Sequence, residues 1–290
     1  MHPAPSVILF SVLSGLGFGF LFMLDLGVIR PHGLGALLAF GTGYGFAIVG
    51  LLASTFHLGN PQRALLAFTQ WRTSWLSREG WASVAALLLN LPVALGALGG
   101  GTPGLFGLLA AALCAATVLS TAMIYAQLKT VPRWNHWTTP LVFLTFSATG
   151  GMILAGLGWP AGLMCLVLGA VMLISQSLTQ SRFAAHGSTL GRATGLDATG
   201  SPRIFAPAHT ASNFVMREMV HSVGRKHAQK LRVIAVTCAA FLPAILLLAL
   251  PAGLLSALPA LILHLIGAFA QRWLFFAEAE HVVSHYYGRT

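Results

Sequence analysis

Apolar residues fill most of this chain in long stretches, and charged and turn-forming residues collect between them. A hydrocarbon core about 30 Å thick takes roughly 20 apolar residues of helix to cross, and backbone polar groups inside it must be paired within the segment or in a closed barrel. Runs of this length therefore predict helices. Reading them against charges and turn residues places eight spans near residues 6–28, 34–56, 80–99, 104–127, 138–157, 160–178, 231–250 and 253–276. Glycine and proline break the pattern at Arg30-Pro31-His32-Gly33, at Gly99-Gly100-Gly101-Thr102-Pro103-Gly104, at Gly158-Trp159-Pro160 and at Pro251-Ala252-Gly253. Two connections are long: 57–79, rich in Trp and Arg, and 179–230, rich in Arg, His, Ser and Gly. The expectation is an all-α integral membrane protein of eight transmembrane helices, one membrane domain over 1–290, with chemistry at the long connections.

Composition agrees: 56% of residues are hydrophobic and 8% charged, where a soluble domain carries about 25% charge. A net charge of +10 would suggest nucleic acid in a soluble protein, but basic residues at the ends of apolar spans set membrane orientation instead. With eight spans, fifteen of the sixteen basic residues fall on the side that holds both termini and the connections 57–79, 128–137 and 179–230; Arg30 alone falls on the other. The positive-inside rule then makes the basic side and both termini cytoplasmic, in a bacterial inner membrane. The first apolar segment has no basic n-region and runs full length from Ser6 to Val28, so it reads as a retained span and not a cleaved signal. Gly15 with Gly19, and Gly41 with Gly45, have the four-residue spacing of close helix approach.

Candidate chemistry is sparse. Cys114, Cys165 and Cys238 each stand alone in an apolar span, without the spacings of a cluster or zinc site. No phosphate-cradling loop or haem-attachment motif is present. Of eleven histidines only His264 lies deep in a span, so a facing partner for haem b is missing; His281 and His285 share a helix face but fall beyond the last span. Asp25 is the one acid within the first span, five residues before Arg30.

The best pair is His57, at the end of span two, and Glu79, just before span three, both at the basic side. A histidine that can hydrogen-bond a ring oxygen and a carboxylate that can pass protons are what quinone chemistry at a membrane edge needs. The competing reading is that Glu79 only pairs with Arg63, Arg72 or Arg78. Between the two runs a stretch in which Arg63, Trp71, Arg72, Trp75 and Arg78 alternate, as in a segment lying in the interface and roofing a pocket.

At Ser54-Thr55-Phe56-His57-Leu58-Gly59-Asn60-Pro61 and Ser74-Trp75-Leu76-Ser77-Arg78-Glu79-Gly80 the chain resembles the membrane anchor subunits of the dimethyl sulfoxide reductase family. The likeness continues in His2-Pro3-Ala4-Pro5-Ser6, in Thr121-Ala122-Met123-Ile124-Tyr125-Ala126 and in Arg272-Trp273-Leu274-Phe275-Phe276-Ala277-Glu278-Ala279. The resemblance implies eight helices without a metal centre, a bound menaquinone or ubiquinone, and His57 and Glu79 as the quinone-site pair. It also implies two partners, a four-cluster iron–sulfur ([4Fe-4S]) subunit and a molybdopterin catalytic subunit. Such an anchor has no activity alone.

With the His57 and Glu79 side cytoplasmic, the chain looks most like the anchors of membrane-bound sulfite dehydrogenases, which pass electrons from cytoplasmic sulfite oxidation to quinone. A quinol-oxidising anchor of an exported reductase is the alternative. The connection 179–230, with seven Arg or Lys from Arg182 to Lys230 against Asp197 and Glu218, is the expected docking surface. A small-solute transporter is the alternative of another class, and a cytochrome b anchor using His264 a third.

Overall fold

A computed structural model describes residues 2–56, 60–206, 213–219 and 227–287. Among these residues every regular element is a helix. The long ones are α1 (Pro5–Asp25), α2 (Gly33–Thr55), α3 (Trp75–Leu98), α4 (Gly104–Ala126), α5 (Thr138–Leu154), α6 (Trp159–Thr179), α7 (Ala228–Ala249) and α8 (Leu254–Ala277). Seven of the described helices are long and apolar enough to cross a membrane, and α5, with 17 residues, is a shorter apolar helix. Two glycines end α5 early: Gly156 (φ +70°) and Gly158 (φ +53°) adopt the left-handed backbone that turns the chain into α6.

The centre of the bundle is α1, which packs against α2, α4, α5 and α8 and buries residues on every side, from Ile8 to Asp25. Apolar helices in lipid gain little from hydrophobic burial, so close approach over small residues holds them together. Gly17 lies on the backbone of Ala47, Gly50 on that of Ser14, Gly19 on the carbonyl of Ser147 and Gly151 on the carbonyl of Gly19.

Of the four glycines picked by spacing, only Gly19 is such a contact; a Cβ on Gly15, Gly41 or Gly45 would meet open space. Four-residue spacing marks a stripe on a helix, and the neighbouring helices decide which stripe they cover. Gly15 contributes differently, through a carbonyl that accepts the Ser147 hydroxyl at 2.6 Å. Gly151→Val puts a branched side chain into the Gly19 carbonyl, and overpacking of this kind costs about 1–3 kcal/mol. The expected result is a lower unfolding midpoint in detergent, with Gly45→Val unchanged beside it.

Within α7, residues Thr237–Phe241 form a π-helical turn immediately before Pro243. Proline has no N–H to offer the carbonyl four residues back, which is that of Ala239. His264 on α8 fills that role, with its Nδ1 2.9 Å from the Ala239 oxygen. Since a carbonyl only accepts, Nδ1 carries the proton. The deepest of the described histidines thus joins two helices at a backbone defect.

One end of the bundle collects the connection 128–137, parts of 179–230 and both terminal segments. His2 N–H donates to the Glu218 carbonyl at 2.8 Å and Val282 N–H to that of Thr130 at 3.0 Å. Ser188 meets His285 at 2.9 Å, and the Trp134 indole donates to the Phe275 carbonyl at 2.8 Å. At the same end Glu278, the residue that caps α8, accepts hydrogen bonds from Arg133 at 2.7 Å and from Arg232.

Candidate functional site

Helix α3 begins at Trp75, after Ser74 in an extended conformation, and this start places Glu79 inside the helix, in its second turn. Its side chain turns into the bundle, 4% exposed. On α4, Thr121 donates its hydroxyl to Glu79 Oε1, and the same hydroxyl lies 3.0 Å from the Thr117 carbonyl. A threonine within a helix ordinarily bonds the carbonyl four residues back; here the hydroxyl is shared with a carboxylate on the neighbouring helix.

The basic residues around Glu79 face away from it. Arg78 donates from Nε to the Trp71 carbonyl at 3.0 Å and from Nη2 to the Arg72 carbonyl at 2.7 Å, with its guanidinium 4.4 Å from the Trp75 ring centre. Arg72 stacks on Trp71 at 5.3 Å, and Arg63, Trp71 and Arg72 are exposed while Trp75 is half-buried. The 3₁₀ turns of Pro61–Phe68 dock this segment on α3. The Phe68 ring rests on Gly80 and meets Trp81 edge-on at 5.5 Å, and the Trp81 indole donates to the Phe68 carbonyl at 3.0 Å. Trp71, Arg72, Trp75 and Arg78 therefore form an aromatic and basic tile beside a buried acid, without an ion pair to it. His57, the other half of the expected pair, lies outside the described residues.

Behind Thr121 lies a cavity among α1, α4, α5 and α8, its largely apolar wall interrupted by Ser11, Ser14, Thr121, Ser147, His264 and Arg272. The centre of a water molecule has about 20 Å³ there, enough for one water or two. Arg272, 3% exposed, holds its guanidinium 3.6 Å from the ring centre of Phe143 and 5.2 Å from that of Phe146, and bonds Gln271 Oε1 at 2.8 Å. A cation this deep within an apolar bundle marks a functional position by default.

By sequence alone Arg272 counts with the loop charges, and Thr121 has no assigned part. The signal for the first is an arginine within the last apolar span; a hydroxyl within a span carries none for the second.

At the other end of the bundle, buried Asp25 takes a hydrogen bond from Cys114 at 3.7 Å, and Asn90 bonds the same sulfur at 3.6 Å. Asp25 is thus neither solvated nor bonded to Arg30. Among the described residues no three His, Cys, Asp or Glu side chains are grouped to hold a metal ion. The chemistry the Glu79 region can perform is proton exchange, by a carboxyl clamped at one oxygen and lying next to a cavity of water size.

An all-helical bundle of membrane-crossing length, with a buried glutamate at one end beside a tile of tryptophan and arginine, fits a membrane-embedded anchor. The family model of the DMSO reductase anchor subunit (DmsC) matches residues 1–277, and the chain belongs to that family, whose members are subunits of multi-subunit oxidoreductases. It is 31% identical over 328 aligned positions to a sulfite dehydrogenase subunit of Allochromatium vinosum, with 99% of each chain covered. No solved structure matches the chain.

Proposed function

We propose that this anchor crosses the bacterial inner membrane eight times, with both termini cytoplasmic, and passes electrons from cytoplasmic sulfite oxidation to the membrane quinone pool. Its partners in this reading are a [4Fe-4S] electron-transfer subunit and a molybdopterin catalytic subunit that dock from the basic end. The observation that carries the reading is Glu79: a carboxylate buried at that end, bonded to Thr121 and free of ion pairing by Arg78. Sulfite as the electron source rests on the name of the Allochromatium relative and on the basic side being cytoplasmic.

Quinone, when bound, supplies chemistry of two electrons and two protons. The cavity beyond Thr121 admits water and not a ring, so this reading puts the ring on the other side of Glu79, toward Trp75. In this reading His57 would hold a ring oxygen, and Trp71, Trp75, Arg63, Arg72 and Arg78 would wall the site from the aqueous side. Glu79 takes up and releases protons at the carboxyl oxygen that Thr121 leaves free. Thr121 fixes the carboxyl rotamer, and the cavity lined by Ser14, His264 and Arg272 stores the water with which protons exchange.

The test is gentle purification of the tagged chain from its native membrane. Iron–sulfur and molybdenum subunits come with it, and sulfite-dependent quinone reduction is lost in His57→Ala. A chain that emerges alone, without iron or molybdenum, overturns the reading and sends the work to transport assays. Thr121→Val keeps the shape of the side chain and removes the clamp. Loss of a hydrogen bond to a charged group is worth about 1.5–3 kcal/mol, so turnover falls about tenfold or more while the complex stays assembled.

A further inference from the structure

A second pocket opens where α5, α6, α7 and α8 meet at the basic end. It is lined by Arg133, Ser175, Gln176, Arg232, Gln271 and Glu278, with Met172 and Phe275 among its apolar walls. About 80 Å³ is open to the centre of a water molecule, roughly four times the space beside Thr121.

Its hydrogen-bonding capacity leans toward donors. Both Glu278 carboxyl oxygens are engaged, Oε2 by Arg133 and Oε1 by Arg232, and Gln271 Oε1 is engaged by Arg272. The Ser175 hydroxyl donates to Thr138 at 3.0 Å and that of Thr179 to the Ser175 carbonyl at 2.7 Å. Left over are the Gln176 amide and the donors of Arg232, whose Nε is buried with no hydrogen-bond partner; a guanidinium has five N–H groups and no acceptor. Arg133 and Arg232 stand together over Glu278; burial draws the Arg133 guanidinium down from its ordinary value, Glu278 and Glu280 oppose this, and Arg232 adds to it. An oxyanion at Arg232 Nε would ease the repulsion between the two guanidiniums.

We propose that this pocket binds a phosphate-type oxyanion, either the phosphodiester of an anionic phospholipid headgroup or free phosphate, with Arg232 Nε and the Gln176 amide as its donors. Arginine suits that ligand because its N–H groups form a planar fork matched to tetrahedral oxyanions. The site lies in the last two turns of α6 and α8 and the first turns of α5 and α7, at the depth where headgroups meet helix ends. It does not depend on the redox reading, since none of these residues belongs to the Glu79 region.

The experiment uses the complex purified from its native membrane. Its thermal unfolding is followed in nanodiscs of phosphatidylcholine alone, of phosphatidylcholine with 30% phosphatidylglycerol, and of phosphatidylcholine with added inorganic phosphate, and native mass spectrometry reads the retained lipid. Midpoints raised by phosphatidylglycerol but not by inorganic phosphate support the site and name the lipid as its source. Midpoints raised by inorganic phosphate in phosphatidylcholine support it with free phosphate as occupant.

In either case the midpoint shift shrinks and binding weakens about tenfold in Arg232→Gln, as when one charge-assisted hydrogen bond is lost, with partial recovery in Arg232→Lys. Gln176→Leu leaves the Glu278 contacts intact and also weakens binding, which keeps the test informative should Arg232→Gln fail to fold. Equal behaviour in all three nanodiscs, or full anion-dependent stabilisation in both Gln176→Leu and Arg232→Gln, overturns the proposal.

Discussion

Glu79→Gln lowers sulfite-dependent quinone reduction in native membranes by at least a hundredfold while the complex still assembles. Glutamine has the size of the glutamate it replaces, and its Oε1 still accepts the Thr121 hydroxyl, so the contact between α3 and α4 survives. Proton exchange does not survive, and a positioned acid–base group contributes about 10²–10⁴-fold to rate. The outcome separates two roles for a buried carboxylate. If Glu79 only braces α3 on α4, the amide serves equally well and turnover stays near that of the parent. Glu79→Ala cannot make this distinction, because it also removes the brace and leaves a cavity. Yield of co-purified iron and molybdenum, measured on the same membranes, shows that lost turnover is not lost assembly.

Much of the architecture is legible in the sequence because lipid makes it so. With no water to satisfy backbone groups, an apolar stretch becomes a helix, and helices stop where Gly156, Gly158 and the Gly99-Gly100-Gly101 run stop them. The start of α3 is less legible. Trp75-Leu76-Ser77-Arg78-Glu79 carries two charges and reads as the end of a loop, yet Arg78 can turn to the carbonyls of Trp71 and Arg72 while Glu79 turns inward. Helical periodicity lets two adjacent charges have opposite fates, and composition does not record which way each faces. The glycine stripe is half legible for the same reason: Gly19 meets Ser147, whereas Gly41 and Gly45 face outward. Thr121 and Arg272 cannot be joined to Glu79 from sequence, since 42 residues separate Thr121 from Glu79; only the packing of α3 on α4 sets Glu79 against Thr121, and that of α4 and α8 on α1 brings Thr121 and Arg272 to one cavity.

Glu278→Ala destabilises the protein by about 3–5 kcal/mol, the cost typical of removing one partner from a buried ion pair. Its carboxylate has 9% of its side-chain surface exposed and answers two arginines, Arg133 and Arg232, which are 18% and 22% exposed. Without it the two guanidiniums lose the carboxylate that bridges them, with only Glu280 left to act on Arg133, and the end of α8 loses its tie to the start of α7 and to the connection between α4 and α5. The sign of the effect depends on what is removed with it. Replacing Arg133, Arg232 and Glu278 together by methionine takes away the charges as well as the attraction, and exchange of a whole buried ionic group for apolar side chains is often neutral or stabilising. Chemical unfolding in detergent should therefore find the single variant far less stable than the triple one. A triple variant as unstable as Glu278→Ala would mean that packing of these side chains, and not uncompensated charge, holds this end of the bundle. Phosphate added to Glu278→Ala should return part of the loss, because an oxyanion in the neighbouring pocket can take over some of what the carboxylate did for Arg232.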